Sequence, residues 1–381
     1  MPIPRPLAAI VVLLLLGGTR PVAAADIAAW VYDLPRWSGN QYEARVPTLP
    51  PGTRQVYASL EEGPRFLLDD DLRSTDIQRL VGALRERSGI AVHAMILQDT
   101  RWLDDPGGAR ERLARVLALN RYAPDRAFAG VHVDVEPHTL EEWECGGIAE
   151  RRGLVQKLQT LLTRLASAIP PPGKNGGGRL RLSAALPWWI GSLSAEIPEA
   201  SPRRFFESVD EIVLMAYGDP GGPLVGGSAR ALLPRLEDSR LWRDIPAGKG
   251  IRVGLATYEY ASAGDLLATV RELDGVLGRH AGYRGTAIFH AGGSYGAPLA
   301  ASVRGLVQDG AGQPVAGARV KVGERQIATS RCGRFVFRDL PPPRADLEVG
   351  GIGLQSITVP VTGLTPGREL EIAPILVRRR P

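Results

Sequence analysis

Short apolar runs recur along the chain, each followed by polar residues and usually by apolar positions at helical spacing. The runs are Ile27 to Tyr32, Gln55 to Leu60, Ile90 to Leu97, Gly130 to Glu136, Leu180 to Leu186, Glu211 to Tyr217, Ile251 to Ala256 and Thr286 to His290. Their length and β-branched content predict eight strands. Between them, Ile77, Leu80, Val81 and Leu84 fall at i, i+3, i+4 and i+7, and Leu154, Val155, Leu158, Leu161, Leu162 and Leu165 extend the same period over a longer helix. Leu266, Leu267, Val270, Leu273 and Leu277 mark another. Strands alternating with amphipathic helices predict a parallel sheet with helices outside it, and eight such units predict closure into a (β/α)8 TIM barrel over residues 26–300. The Pro-rich stretch from Leu34 to Thr53 lacks helical periodicity, and between His290 and Val303 there is room only for a turn. One or two degenerate outer helices are therefore expected. A doubly wound open sheet is the alternative.

From Val303 the texture changes to short alternating segments with turn signals. Val303-Arg304-Gly305-Leu306-Val307 is followed by Asp309-Gly310, the run Pro314 to Val322, Gly333-Arg334-Phe335-Val336-Phe337 and Asp339-Leu340-Pro341. This predicts an all-β sandwich over 303–377, ending in a basic tail at 378–381.

The N-terminus changes the picture of where the chain works. Arg5 precedes an apolar stretch from Leu7 to Leu16 and the small residues Ala23, Ala24 and Ala25. This is the pattern of a secretory signal peptide over 1–25, too short to span a bilayer, cleaved before Asp26. No Cys follows the apolar stretch and no second long apolar run occurs, so a soluble, secreted or periplasmic protein without a transmembrane segment is expected. The net charge of +5 is small and the basic residues are scattered, which argues against nucleic acid as a partner. Only Cys145 and Cys332 are present, one in each predicted domain. They could bridge the domains or remain two thiols; geometry decides, and sequence does not supply it. They are too few for a zinc site, and neither a metal nor a cofactor is expected.

The sharpest chemical signal is Gly130-Val131-His132-Val133-Asp134-Val135-Glu136-Pro137 at the end of the fourth strand. Alternation turns the three valines towards the helices and His132, Asp134 and Glu136 into the barrel. Three ionisable groups on one buried face are costly unless they pair or line a wet cleft, and the C-terminal ends of barrel strands are where active sites sit. Other strand ends supply Trp30, Asp33, Asp99, the pair Trp188 and Trp189, and Asp219. Aromatic faces suit sugar rings, although paired Trp residues also serve as packing and the Asp residues as caps. His132 and His290 are candidate substrate contacts or satisfied core histidines. The Gly-rich stretch 173–178 follows a helix instead of opening one and lacks the Lys-Ser/Thr end of a phosphate loop, so it is expected to be a turn.

The stretch from Gly130 to Glu136 resembles the strand-four signature of glycoside hydrolase family 18, the chitinase-like barrels. Gly130, Asp134 and Glu136 stand where that family keeps its Gly, last Asp and acid Glu, while Ala129 and His132 replace the two earlier Asp residues. Val213-Leu214-Met215-Ala216-Tyr217 is similar to the family's strand-six segment, whose Tyr helps to hold the N-acetyl group of the substrate; Phe289 and His290 stand where its strand-eight Trp is expected. The resemblance implies a polysaccharide or glycan substrate, Glu136 as general acid, Asp134 as the residue orienting an acetamido nucleophile, and Tyr217 positioning it. A second glycosidase clan implies a different pairing, with Glu136 facing a nucleophilic Glu259 at the end of strand seven. The third reading is an inactive barrel that binds carbohydrate or protein. Residues 303–377 resemble the carboxypeptidase regulatory-like family of transthyretin-type sandwiches, which implies an accessory module and leaves room for a protein partner at the cell surface or in the periplasm.

Overall fold

The computed structural model describes residues 26–32, 49–62, 65–171, 179–217, 227–289, 301–365 and 369–379, apart from the side chains of residues 227, 228, 239, 240 and 339. Eight parallel strands, β1 (Ile27–Val31), β2 (Thr53–Ser59), β3 (Ala91–Leu97), β4 (Gly130–Val133), β5 (Arg181–Pro187), β6 (Glu211–Met215), β7 (Gly250–Ala256) and β8 (Tyr283–Phe289), close into a barrel. The ring runs β1-β8-β7-β6-β5-β4-β3-β2, so the open-sheet alternative is excluded. Strand β4 is shorter than expected. Its ladder stops at Val133, although the Asp134 amide still donates to the Leu97 carbonyl at 2.8 Å.

The three helical periodicities become α1 (Asp71–Ser88), α4 (Ile148–Ala168) and α8 (Ala263–Leu277), with α2 (Pro106–Tyr122), the short α3 (Glu141–Cys145), α6 (Gly227–Leu236) and the short α7 (Ser239–Trp242) beside them. Local chemistry sets where they begin. The Asp70 carboxylate accepts from the amides of Leu72 and Arg73 at the head of α1, and Asp105 caps α2 just before Pro106, whose missing N–H costs nothing there. The apolar stripes of α1, α4 and α8 pack with Val131, Val133 and Val135 in one core between strands and helices. The helix after β5 is degenerate, which the sequence did not signal at that point: residues 190–205 form two 3-10 turns and the four-residue α5 (Pro202–Phe205), punctuated by Pro198 and Pro202. The two places where a degenerate helix was expected, after strands one and eight, lie largely outside the described residues.

The barrel interior is a second, smaller core. Ala28, Trp30, Tyr57, Met95, Ala185, Val213, Met215 and Ala287 fill it. Below them, at the N-terminal ends of the strands, Arg252 on β7 donates to Glu211 on β6 at 3.0 Å, and Gln55 and Tyr57 on β2 donate to the other Glu211 oxygen at 3.0 and 2.7 Å. Burial alone would raise the Glu211 carboxyl, but the charges of Arg252 and His93 and the Tyr57 hydrogen bond bring it down to about 2. Gly130 is required by close approach: a Cβ there would lie 2.6 Å from the His93 ring and 2.8 Å from the Arg181 carbonyl oxygen.

The C-terminal module consists of two four-stranded sheets. β9 (Ala301–Gln308) lies between β12 (Arg334–Leu340) and β15 (Glu369–Glu371) and also pairs with β16 (Ile375–Leu376). The second sheet has the order β11-β10-β13-β14, formed by β11 (Arg325–Ala328), β10 (Arg319–Val322), β13 (Arg344–Gly350) and β14 (Ile357–Thr362). Alternate residues of β9 and β13 are buried, and Val303, Val307, Phe335, Phe337, Leu347 and Val349 meet in its core. The module is fastened to the barrel by a disulfide between Cys145, at the end of α3, and Cys332, in the turn before β12. The cysteine question left open by the sequence is thus answered by an interdomain bridge. Among the described residues no helix is long and apolar enough to cross a membrane.

Candidate functional site

The residues following β4 stand at the C-terminal mouth of the barrel. Asp134 and Glu136 are both partly buried there, two positions apart. Burial, with the neighbouring Glu136 charge adding to it, pushes the Asp134 carboxyl up to about 7, against a weaker opposite pull from the Tyr32 hydroxyl. That hydroxyl, at the end of β1, donates to Asp134 Oδ2 at 3.4 Å, while Asp134 Oδ1 is buried with no partner among the described residues. Glu136 is also raised by burial, against the opposing charge of Arg338 on β12 of the sandwich. His138 Nε2 lies 3.7 Å from Glu136 Oε2, and burial holds that imidazole neutral by pushing it down to about 4.

Aromatic rings line this mouth. Tyr217, just past β6, stacks on Phe289 of β8 with centroids 5.1 Å apart, and Tyr32 and Tyr258 meet the same Phe289 edge-on. Burial and then the Asp134 charge raise the Tyr217 phenol well above its ordinary range, so it stays a proton donor beside that carboxyl. Gly254 makes room for it: a Cβ there would lie 3.2 Å from the Tyr217 ring and 3.3 Å from Trp30. Neutral hydroxyls, a high carboxyl and aromatic faces form a set that can bind a sugar and deliver a proton.

Several expected contacts are placed elsewhere. His132 is wholly buried: its Nε2 accepts from Trp30 Nε1 at 3.2 Å, its Nδ1 is 2.9 Å from Ser183 Oγ, and its ring stacks on Tyr57. It sits as a satisfied core histidine under the site, pushed by burial down to about 3. Trp30, 1% exposed, is likewise floor and not wall. Asp99 caps the 3-10 turn Thr100–Leu103 by accepting from the Arg101 amide at 2.8 Å, the structural alternative for that residue. Trp188 is partly buried against the strand–helix core, with the Arg235 guanidinium 5.2 Å from its ring centroid, whereas Trp189 packs edge-on against His138 and tilted against Trp143, flanking Glu136. Glu259 is 8% exposed in the turn after β7, and it is the adjacent Tyr258 that shares the field of Glu136. Asp33, Asp219, His290 and the Gly-rich stretch lie outside the described residues.

Sequence reasoning missed Tyr32, His138, Tyr258 and Arg338. The first three had a signal, since each ends or follows a strand that supplied another candidate. Arg338 had none, because it comes from the other module. The one grouping of metal-ligand atoms among the described residues is Glu144, Cys145 and Cys332, where the disulfide leaves no thiolate to coordinate.

No curated protein matches the chain. Similar solved structures include the TIE protein of Bacillus anthracis, with TM-score 0.19 and 12% identity over 21% of this chain and 17% of that one. A class V chitinase of Nicotiana tobaccum gives TM-score 0.39 and 12% identity over 61% and 67% of the two chains. A chitinase of Bacillus thuringiensis gives TM-score 0.40 and 9% identity over 90% and 85%. The chain thus spans under a fifth of the TIE protein and most of each chitinase. The family model of the carboxypeptidase regulatory-like domain matches residues 302–376, so the C-terminal module is similar to that domain, as its strand pattern predicted.

Proposed function

We propose that the chain is an exported glycoside hydrolase acting on an N-acetylated glycan, with Glu136 as general acid. The observation that carries this reading is the pair of raised carboxyls on one strand end, Asp134 and Glu136, within an aromatic mouth. Protonated Glu136 gives its proton to the glycosidic oxygen as the C1–O bond breaks. The acetamido oxygen of the substrate forms the new bond to C1, held by Asp134 and the Tyr217 hydroxyl. Water then attacks C1, giving its proton to the Glu136 carboxylate and restoring the acetamide. Asp134 Oδ1, buried without a partner, supports this role because an acetamide N–H would satisfy it. Export is supported by the signal-like N-terminus and by a disulfide, a bond that persists in oxidising compartments.

A barrel that binds glycan without cleaving it is the second reading, favoured by the Arg338 charge, which draws Glu136 towards its ionised form. No observation favours the Glu136/Glu259 pairing, since Glu259 is buried. The test is hydrolysis of a panel of aryl glycosides and polysaccharides, N-acetylated ones included, by wild type and by Glu136→Gln. Cleavage confined to N-acetyl substrates and lowered about 10²- to 10⁴-fold in the variant, least for activated aryl leaving groups, is expected. Folded wild type that cleaves nothing transfers the assignment to glycan binding.

A further inference from the structure

Resting on that reading, we infer that the β-sandwich completes the cleft and that Arg338 is a subsite for an anionic substituent, so that the substrate is an acidic glycan bearing carboxylate or sulfate groups. Three observations converge on it. The first is placement. The turn leading into β12 is bonded to the barrel directly beside the β4 end: Cys332 is joined to Cys145, the Ser330 hydroxyl lies 3.5 Å from Cys145 Sγ, and the Arg331 amide donates to the Glu141 carboxylate. From this anchored turn β12 carries Arg338, exposed, to a position where its charge acts on both Glu136 and Tyr258, groups at the ends of two different barrel strands.

The second is the neighbourhood. Arg325, Arg331, Arg334 and Arg338 all lie on β11, β12 and the turn between them, and the Arg325 guanidinium donates to the Arg338 carbonyl at 2.8 Å. The third is the charge balance of the two modules. Residues 303–377 hold nine Lys and Arg against seven Asp and Glu and the tail adds Arg378, Arg379 and Arg380, whereas residues 26–300 hold 32 against 34, so the C-terminal part of the chain is basic and the barrel slightly acidic. A basic module fixed beside a mouth lined with carboxyls attracts an anion to the edge of the cleft and orients it there. Guanidinium suits the task, since its fork binds carboxylate or sulfate oxygens in pairs. An anionic substituent would also neutralise Arg338 and leave Glu136 its proton when substrate is bound, which a neutral glycan cannot do.

The experiment uses full-length protein carrying Glu136→Gln, in which the slowed turnover lets binding be measured. Its affinity is measured calorimetrically for three oligosaccharides of equal length: a neutral N-acetylated one, one alternating N-acetylhexosamine with uronate, and a sulfated one. At least one anionic ligand is expected to bind tenfold or more tightly than the neutral one, and which one does so identifies the substituent. Adding Arg338→Ala is expected to abolish that preference; Arg338→Lys restores part of it. Arg344→Ala, which removes the same charge from a residue paired with Asp346 elsewhere on the module, should preserve it. Equal affinity for neutral and anionic ligands, or equal loss from Arg344→Ala, overturns the inference. Wild-type hydrolysis of a neutral glycan alongside anion-indifferent binding overturns this inference alone. Failure to bind or cleave any glycan overturns it together with the glycosidase reading.

Discussion

Asp134 carries the clearest consequence at the scale of single residues. A carboxyl whose folded pKa is raised to about 7 holds its proton in the native state while the unfolded chain has already lost it, so between about pH 4 and 7 the native state binds more protons. Asp134 therefore costs stability progressively as pH rises through that window. Asp134→Asn is expected to be more stable than wild type at pH 8, with the difference shrinking towards pH 4, while activity falls; urea midpoints at several pH values check this. His132 acts in the opposite sense. Its folded pKa is depressed to about 3, so stability is lost as pH falls below about 6.5 and the unfolded chain takes up the proton. The alternation on strand four made the inward face of His132, Asp134 and Glu136 legible, but not depth. Two residues along a strand advance it by about 7 Å, which is enough to separate a core histidine from a carboxyl at the mouth.

Elements differ in how plainly they were written. The helices α1, α4 and α8 were legible because each buries one apolar stripe, and β1 to β8 because both faces of a barrel strand are apolar. The polar layer under the barrel was not legible, since Gln55, Glu211 and Arg252 come from three strands and only closure brings them together. Removing one partner strands a buried charge: Glu211→Ala is expected to cost about 3–5 kcal/mol in chemical denaturation, several times the effect of an exposed pair such as Arg204 and Glu207. Gly130→Ala tests the packing of β4. The His93 ring can move, whereas the Arg181 carbonyl is held in the ladder, so destabilisation of about 1–3 kcal/mol is expected. Little change on denaturation would show that β4 has more room beside β5 than these distances allow.

In the molecule as a whole, two modules that read as separate in sequence share one site. The boundary near residue 301 was visible as a change of texture; the docking was not, because nothing in the order of residues says which face of a sandwich meets a barrel. The disulfide fixes that face. Replacing both cysteines by Ser is expected to cost roughly 2–5 kcal/mol of stability, read as a lowered thermal midpoint, and to weaken binding of anionic glycan more than neutral. An unchanged midpoint would mean that the contacts around Ser330 and Glu141 hold the modules without the bond.

The same bond makes the middle of the chain a closed ring. Cys145 and Cys332 are 187 positions apart, and strands β5 to β8 and β9 to β11 all lie between them. A single cut anywhere inside that span leaves one covalent molecule, which migrates as one species until reductant is added and as two afterwards. The ring also imposes an order on assembly. If the chain is exported as proposed, the ring closes only after Cys332 has crossed into the oxidising compartment, so the half of the barrel that follows β4 would arrive there before the sandwich is locked onto it.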